Sequence, residues 1–194
     1  MKDITKNEIL FVLIIFKNPD KDYNANSIAK RIGISSMGSL KIAKKLKKDN
    51  ILIPKRLGKA VFYKLDINNN YVEQYIKFLL KRECELSNPY TKMWINEIKK
   101  IKNADSAILF DSILTKNKEA KDIDILFITD KEKFYKLKKE IEEINFINIK
   151  KIHPIYQTKE DFKNNIIKED KVVLNAIKGI IVFGEDLIIK LLKK

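Results

Sequence analysis

Asp122 and Asp124 are two side chains whose type and spacing suggest chemistry. They open an otherwise apolar run, Asp122-Ile123-Asp124-Ile125-Leu126-Phe127-Ile128. Alternate residues of a strand share a face, so the two carboxylates are expected to point the same way. Burying such a pair without partners is costly. Paired acids can hold a divalent cation, as magnesium sites on nucleotide phosphates require. A second reading, that the pair is only a solvated strand end, stays open. His153, the single histidine, lies just before Pro154 and reads as structural rather than as a ligand or base.

A second chemistry is electrostatic. A helix is expected over 36–48, with Met37, Leu40, Ala43 and Leu46 on one face. Lys41, Lys44, Lys45 and Lys48 fall at i, i+3, i+4 and i+7 on the other. Two strands, 51–54 and 60–65, follow with the basic turn Lys55-Arg56-Leu57-Gly58-Lys59 between them. A basic helix face beside a basic hairpin suits phosphates. The alternative is that the lysines merely solvate the helix.

The charge of the whole chain agrees with a polyanionic partner. Its 194 residues hold 40 Lys plus Arg and 26 Asp plus Glu, a net charge of +14. Residues 1–70 hold 15 of those bases and 6 of the acids, so the smaller N-terminal part carries most of the excess. Apolar content of 45% is enough for packed cores and argues against wholesale disorder. Cys84 is the single cysteine, which excludes an intrachain disulfide or a cysteine-built zinc site and fits the cytoplasm. The apolar run 9–16 is too short to span a membrane, and acidic Asp3 and Glu8 precede it, unlike a secretory leader.

The positioning elements are legible in outline. Thr5-Lys6-Asn7-Glu8 is a capping-box pattern ahead of a helix carrying Ile9, Leu10, Leu13, Ile14 and Phe16. A turn over 20–24 leads to a second helix with Ile28, Ala29 and Ile32 inside, ended by Gly33. Ser35 or Ser36 caps the third. After a polar break at 66–70, a helix over 71–86 shows Val72, Tyr75, Ile76, Leu79 and Leu80 on one face. Another, to about 102, carries Trp94, Ile95, Ile98 and Ile101. Strands are expected at 108–110, 123–128 and 147–156, the first two in a hairpin-like connection through a polar loop. An amphipathic helix fills 131–144. Thr158 caps a further helix, and 171–178, 180–183 and 185–192 complete the chain.

The string Ser27-Ile28-Ala29-Lys30-Arg31-Ile32-Gly33-Ile34-Ser35, with the helices and basic hairpin around it, resembles the winged helix-turn-helix of bacterial and archaeal transcription regulators. The likeness covers 4–66. It implies that the helix after Ser35 enters the major groove of double-stranded DNA. Ser36, Met37, Ser39 and Lys41 would approach base edges, while Lys44, Lys45, Arg56 and Lys59 would meet phosphates. It also implies a homodimer, with the apolar face of the helix over 71–86 as the contact and an intrachain core stripe as the alternative.

Phe110-Asp111-Ser112, followed by Asp122-Ile123-Asp124-Ile125-Leu126, resembles the nucleotidyltransferase superfamily. The strings 154–162 and 179–184 look like its small archaeal members, and the likeness covers roughly 90–194. It implies that Asp122 and Asp124 are catalytic and hold magnesium, and that Ser112 contacts a nucleotide. Two departures stand out. Asp111 replaces the family's glycine, and the strand over 147–156 offers Lys150, Lys151 and His153 where a third acid belongs. The expected architecture is therefore α+β: a winged helix-turn-helix domain at 1–68, a helical connector at 69–103 and an α/β nucleotidyltransferase-like domain at 104–194. The expected function is transcription regulation through DNA, with a catalytically weak second domain that senses a nucleotide or mediates assembly. One alternative is an active nucleotidyltransferase modifying a protein or small molecule, as related antitoxins do. Another is an RNA-binding protein.

Overall fold

The computed structural model describes residues 4–193, so positions 1–3 and 194 of the expected domains lie outside the described residues. The chain divides into two units, Met1–Leu79 and Leu80–Lys194, with the boundary inside one helix.

The first unit begins with α1 (Lys6–Phe16), whose start is fixed by a reciprocal cap. The Glu8 N–H donates to Thr5 Oγ1 at 3.3 Å, and the Thr5 N–H donates to the Glu8 carboxylate at 2.8 Å. After the short strand β1 (Tyr23–Asn24), Asn24 and Ser27 make the same kind of cap for α2 (Ala25–Ile32). The next helix, α3 (Ser36–Lys48), is capped by Ser35, whose Oγ accepts from the Gly38 N–H at 3.0 Å. Strands β2 (Leu52–Leu57) and β3 (Ala60–Leu65) form a hairpin, and β1 pairs with β3, giving the antiparallel order β1-β3-β2. This order of helices and strands is that of a winged helix. Phe11, Val12, Ile28, Ala29, Ala43, Leu46 and Ile51 are buried, and Phe11 meets Tyr63 edge-on.

Two expectations for this unit change. The turn over 20–24 ends in a strand, with Tyr23 opposite Tyr63. The basic turn over 55–59 is mostly strand, because β2 stays paired as far as Leu57 opposite Ala60. Only Gly58 and Lys59 turn, with Gly58 at φ 58°, as a two-residue hairpin loop favours.

The boundary lies in α4 (Asn70–Glu85). Val72, Ile76, Leu79 and Leu80 are wholly buried within the single chain. The apolar face expected to make a dimer contact is thus already covered, and the intrachain alternative holds for these residues. Tyr71 and Phe78 are the large apolar side chains that this helix leaves exposed.

The second unit holds α5 (Pro89–Ile98), β4 (Ser106–Phe110), α6 (Ser112–Lys116), β5 (Ile123–Ile128), α7 (Phe134–Ile147), β6 (Ile152–Gln157), α8 (Lys159–Ile167), α9 (Lys171–Ala176), β7 (Ile180–Phe183) and α10 (Glu185–Leu192). Its sheet has the order β6-β5-β4-β7. The β4 strand runs antiparallel to β5 and β7, while β5 and β6 are parallel. Every residue of β4 is buried, and so is every residue of β5 except Asp124, as in a sheet covered on both faces. Cys84, Trp94, Ile95, Ile98 and Ile101 belong to the same core as Ile123, Ile125 and Phe127.

Here too the structure departs from expectation. The polar loop between β4 and β5 contains α6 and a 3-10 turn, Asn117–Glu119. The third strand starts at Ile152 rather than 147, because α7 runs on to Ile147. Ile149, within the strand expected over 147–156, is 99% exposed. Ile123 N–H and Thr129 N–H donate to the carbonyls of Lys151 and Gln157, so odd-numbered residues of β6 turn their backbone groups toward β5. Even-numbered residues turn theirs to the outer edge. There the Asn145 side chain holds both groups of Ile152, at 2.6 Å from its N–H and 3.3 Å from its carbonyl, and Pro154 has no N–H.

Candidate functional site

The basic face of the first unit is built on α3 and the β2–β3 hairpin. Ser36, Met37, Lys41, Lys44 and Lys48 are exposed on α3, as are Arg56 and Lys59 on the hairpin. Lys47 and Lys55 are exposed on the same two elements. They were absent from the expected set, although Lys47 stands three residues after Lys44, the spacing that marks a neighbouring position on a helix. A cleft of about 530 Å³ runs between α3 and the hairpin, lined by Ser36, Met37, Leu40, Lys59, Ala60 and Val61, with Asn24 and Asn26 also on its wall.

Two expected members face elsewhere. Ser39 is fully buried, and its Oγ donates to the Ala25 carbonyl at 2.7 Å, holding α3 against the start of α2. It cannot reach a base edge. Its spacing from Ala43 and Leu46, four and seven residues, is that of the buried stripe. Lys45 is the other. Its Nζ is bonded to Glu8 Oε1, a carboxylate 6% exposed. Burial pushes the Glu8 carboxyl up, but the Lys45 ammonium and the Thr5 amide and hydroxyl outweigh this and hold it below its ordinary value. Lys45 is thus committed to α1 rather than to a phosphate.

In the second unit, β4 and β5 lie side by side with Phe110 opposite Asp124, so Asp111 and Ser112 follow next in the chain after the residue that faces Asp124. Asp122 is exposed just ahead of β5, Ile123 is buried and Asp124 is partly buried, the alternation that a strand edge produces. Asp111 has φ 61° and ψ −132°, a backbone conformation that side chains disfavour, and its side chain makes no cap hydrogen bond to α6. The position keeps the geometry of a glycine although the residue is aspartate. Ser112 is partly exposed at the first turn of α6.

His153 meets one of the acids, Asp124. It lies opposite Asp124 in the parallel β5–β6 register, with Nδ1 3.1 Å from Asp124 Oδ1. The lysines expected beside the acids are engaged elsewhere. Lys150 donates to the Lys118 and Ala120 carbonyls and lies 5.4 Å from the Tyr90 ring centroid. Lys151 donates to the Asn145 and Asn148 carbonyls. Among the described residues, no group of three or more His, Cys, Asp or Glu side chains is arranged to hold a metal ion. The donors here are two carboxylates and an imidazole already bonded to one of them, which does not fit a two-cation site.

No protein-family model matches the sequence, and comparison with curated proteins finds no match. Among solved structures, the chain is similar to the adhesin competence repressor AdcR of Streptococcus pyogenes, at 13% identity and a TM-score of 0.38 over 52% of this chain and 69% of that one. It is also similar to a Lactococcus lactis ZitR mutant in complex with DNA, at 20% identity and a TM-score of 0.30 over 50% of this chain and 70% of that one. Scores at this level assign no family. Among the described residues, no helix is long and apolar enough to cross a membrane.

Proposed function

We propose that the chain is a DNA-binding transcription regulator whose first unit binds double-stranded DNA through α3 and the β2–β3 hairpin. The observation that carries this is the exposed basic surface of Lys41, Lys44, Lys48, Arg56 and Lys59 on two neighbouring elements of a winged helix. In this reading α3 lies in the major groove and the hairpin reaches the adjoining backbone. The test is titration of the full chain with duplex DNA at several salt concentrations. Removing one lysine or arginine from a phosphate flattens the slope of log K against log salt by about 0.9. A Lys41→Ala, Lys44→Ala, Arg56→Ala triple variant with an unchanged slope would overturn the proposal.

For the second unit, the reading is a nucleotidyltransferase-like domain that binds a nucleotide without efficient transfer. Asp122 and Asp124 would approach a single magnesium ion and Ser112 a phosphate oxygen. What favours weak catalysis is the pairing of Asp124 with His153, where active transferases would need a further acid. Thermal shift with nucleoside triphosphates and magnesium measures binding, because a ligand of the folded state alone raises its apparent stability. Incubation with labelled triphosphate and acceptor proteins measures transfer. Transfer abolished by Asp122→Ala and Asp124→Ala would establish the enzyme reading instead.

A further inference from the structure

We infer that Met37 determines specificity by reading the 5-methyl group of thymine. The inference rests on the proposal that α3 enters the major groove. The N-terminal residues of a groove-bound helix are those that contact base edges. On α3 these are Ser36, Met37 and Lys41, since Ser39 is buried. The helix sequence, Ser-Met-Gly-Ser-Leu-Lys-Ile-Ala-Lys-Lys-Leu-Lys-Lys, contains no arginine, asparagine or glutamine. The asparagine or glutamine contact to adenine and the arginine fork on guanine are therefore beyond this element, which leaves Lys41 and Ser36 as its polar readers and Met37 as its apolar one.

Beside the hydroxyl of Ser36, the leading end of the helix presents the apolar side chain of Met37. Met37 is 63% exposed in the second position of the helix, and what sets it apart from other exposed apolar side chains is that it sits at the leading end of α3 on the wall of the cleft. Leu40, Ala60 and Val61 continue that surface into the cleft between α3 and the hairpin. In the major groove, the thymine methyl is the apolar group that a base pair offers, and an unbranched thioether adapts readily to its position. The surrounding lysines supply the complementary charge for the phosphates of a duplex, and the Met37 surface is the part that fits a thymine within it.

The experiment compares the full chain on poly(dA-dT) and poly(dA-dU), which differ by that methyl group. The wild type is expected to bind the thymine polymer about fourfold more tightly, the equivalent of one buried methyl at about 0.8 kcal/mol. Met37→Ala is expected to bind both polymers equally, at the wild-type affinity for poly(dA-dU), and Met37→Leu to retain most of the preference. Equal wild-type binding to both polymers, or a preference that survives in Met37→Ala, overturns the inference and leaves the DNA-binding proposal standing. Failure to bind either polymer at low salt overturns both.

Discussion

Lys45 and Glu8 are joined across 37 residues of sequence, the ammonium of α3 bonded to a carboxylate of α1 that is almost closed off from solvent. The same carboxylate also caps its own helix through the Thr5 N–H. One acid thus fixes both the start of the first helix and the placing of the third, and Lys45 belongs to the frame rather than to the basic surface around it.

The pair makes the stability of the first unit depend on pH. Glu8 titrates below its ordinary value in the folded state, so its contribution is complete above the unfolded value, about pH 4.3, and is lost as pH falls through the folded one. Lys45→Ala leaves the buried carboxylate without its cation, held by Thr5. The expected cost at pH 7 is about 1–2 kcal/mol, below that of a fully buried pair because Lys45 is partly exposed. Lys44→Ala should stay within about 0.5 kcal/mol. Urea unfolding at pH 7, 5 and 3.5 checks both points, with the Lys45 variant losing less stability on acidification than the wild type.

Ser39 offers the converse test on the same helix. Ser39→Ala removes the hydrogen bond to the Ala25 carbonyl and should cost about 1 kcal/mol in denaturant unfolding. Affinity for DNA, corrected for the folded fraction, should not change. A loss of affinity without a loss of stability would return Ser39 to the binding surface.

Asp111 holds a positive φ without a local hydrogen bond from its side chain to the helix it precedes. Such conformations cost about 1–3 kcal/mol for residues other than glycine. Asp111→Gly relieves that strain, offset by the greater freedom of glycine in the unfolded chain, about 0.5–1 kcal/mol. The net expectation is a gain of about 1 kcal/mol. The substitution also removes a negative charge one residue after Phe110, the strand partner of Asp124, so any stabilisation by triphosphate and magnesium should increase. Calorimetry with and without the ligand reads both effects.

How much of this was legible in the sequence depends on what each residue reports locally. Caps are local: Thr5 with Glu8, and Thr158 with Asp161, are bonded as their spacing indicates. The β5 strand was visible because its apolar run is dense and its ends are polar. The two-residue β1 was not, since its pairing with β3 is set by tertiary register. Lys45 and Ser39 misled for a related reason. Periodicity places a side chain on a helix face but does not name its neighbour, and Glu8 and Ala25 lie far back in the chain. The alternating Ile147 and Ile149 mimic a strand, yet Ile147 completes α7. The meeting of His153 with Asp124 depends on the parallel register of β5 and β6, which no local pattern encodes.

The treatment of β6 has a consequence for how the molecule behaves in a crowd. An outer strand with free donors and acceptors is a template on which another chain can add. Here the Asn145 side chain occupies the outward groups of Ile152, and Pro154 brings no donor two residues on. A foreign strand laid along this side would find Tyr156 as the outward N–H within the strand. The border offers an incoming strand fewer donors than an open edge would, so growth of fibrils from β6 is disfavoured.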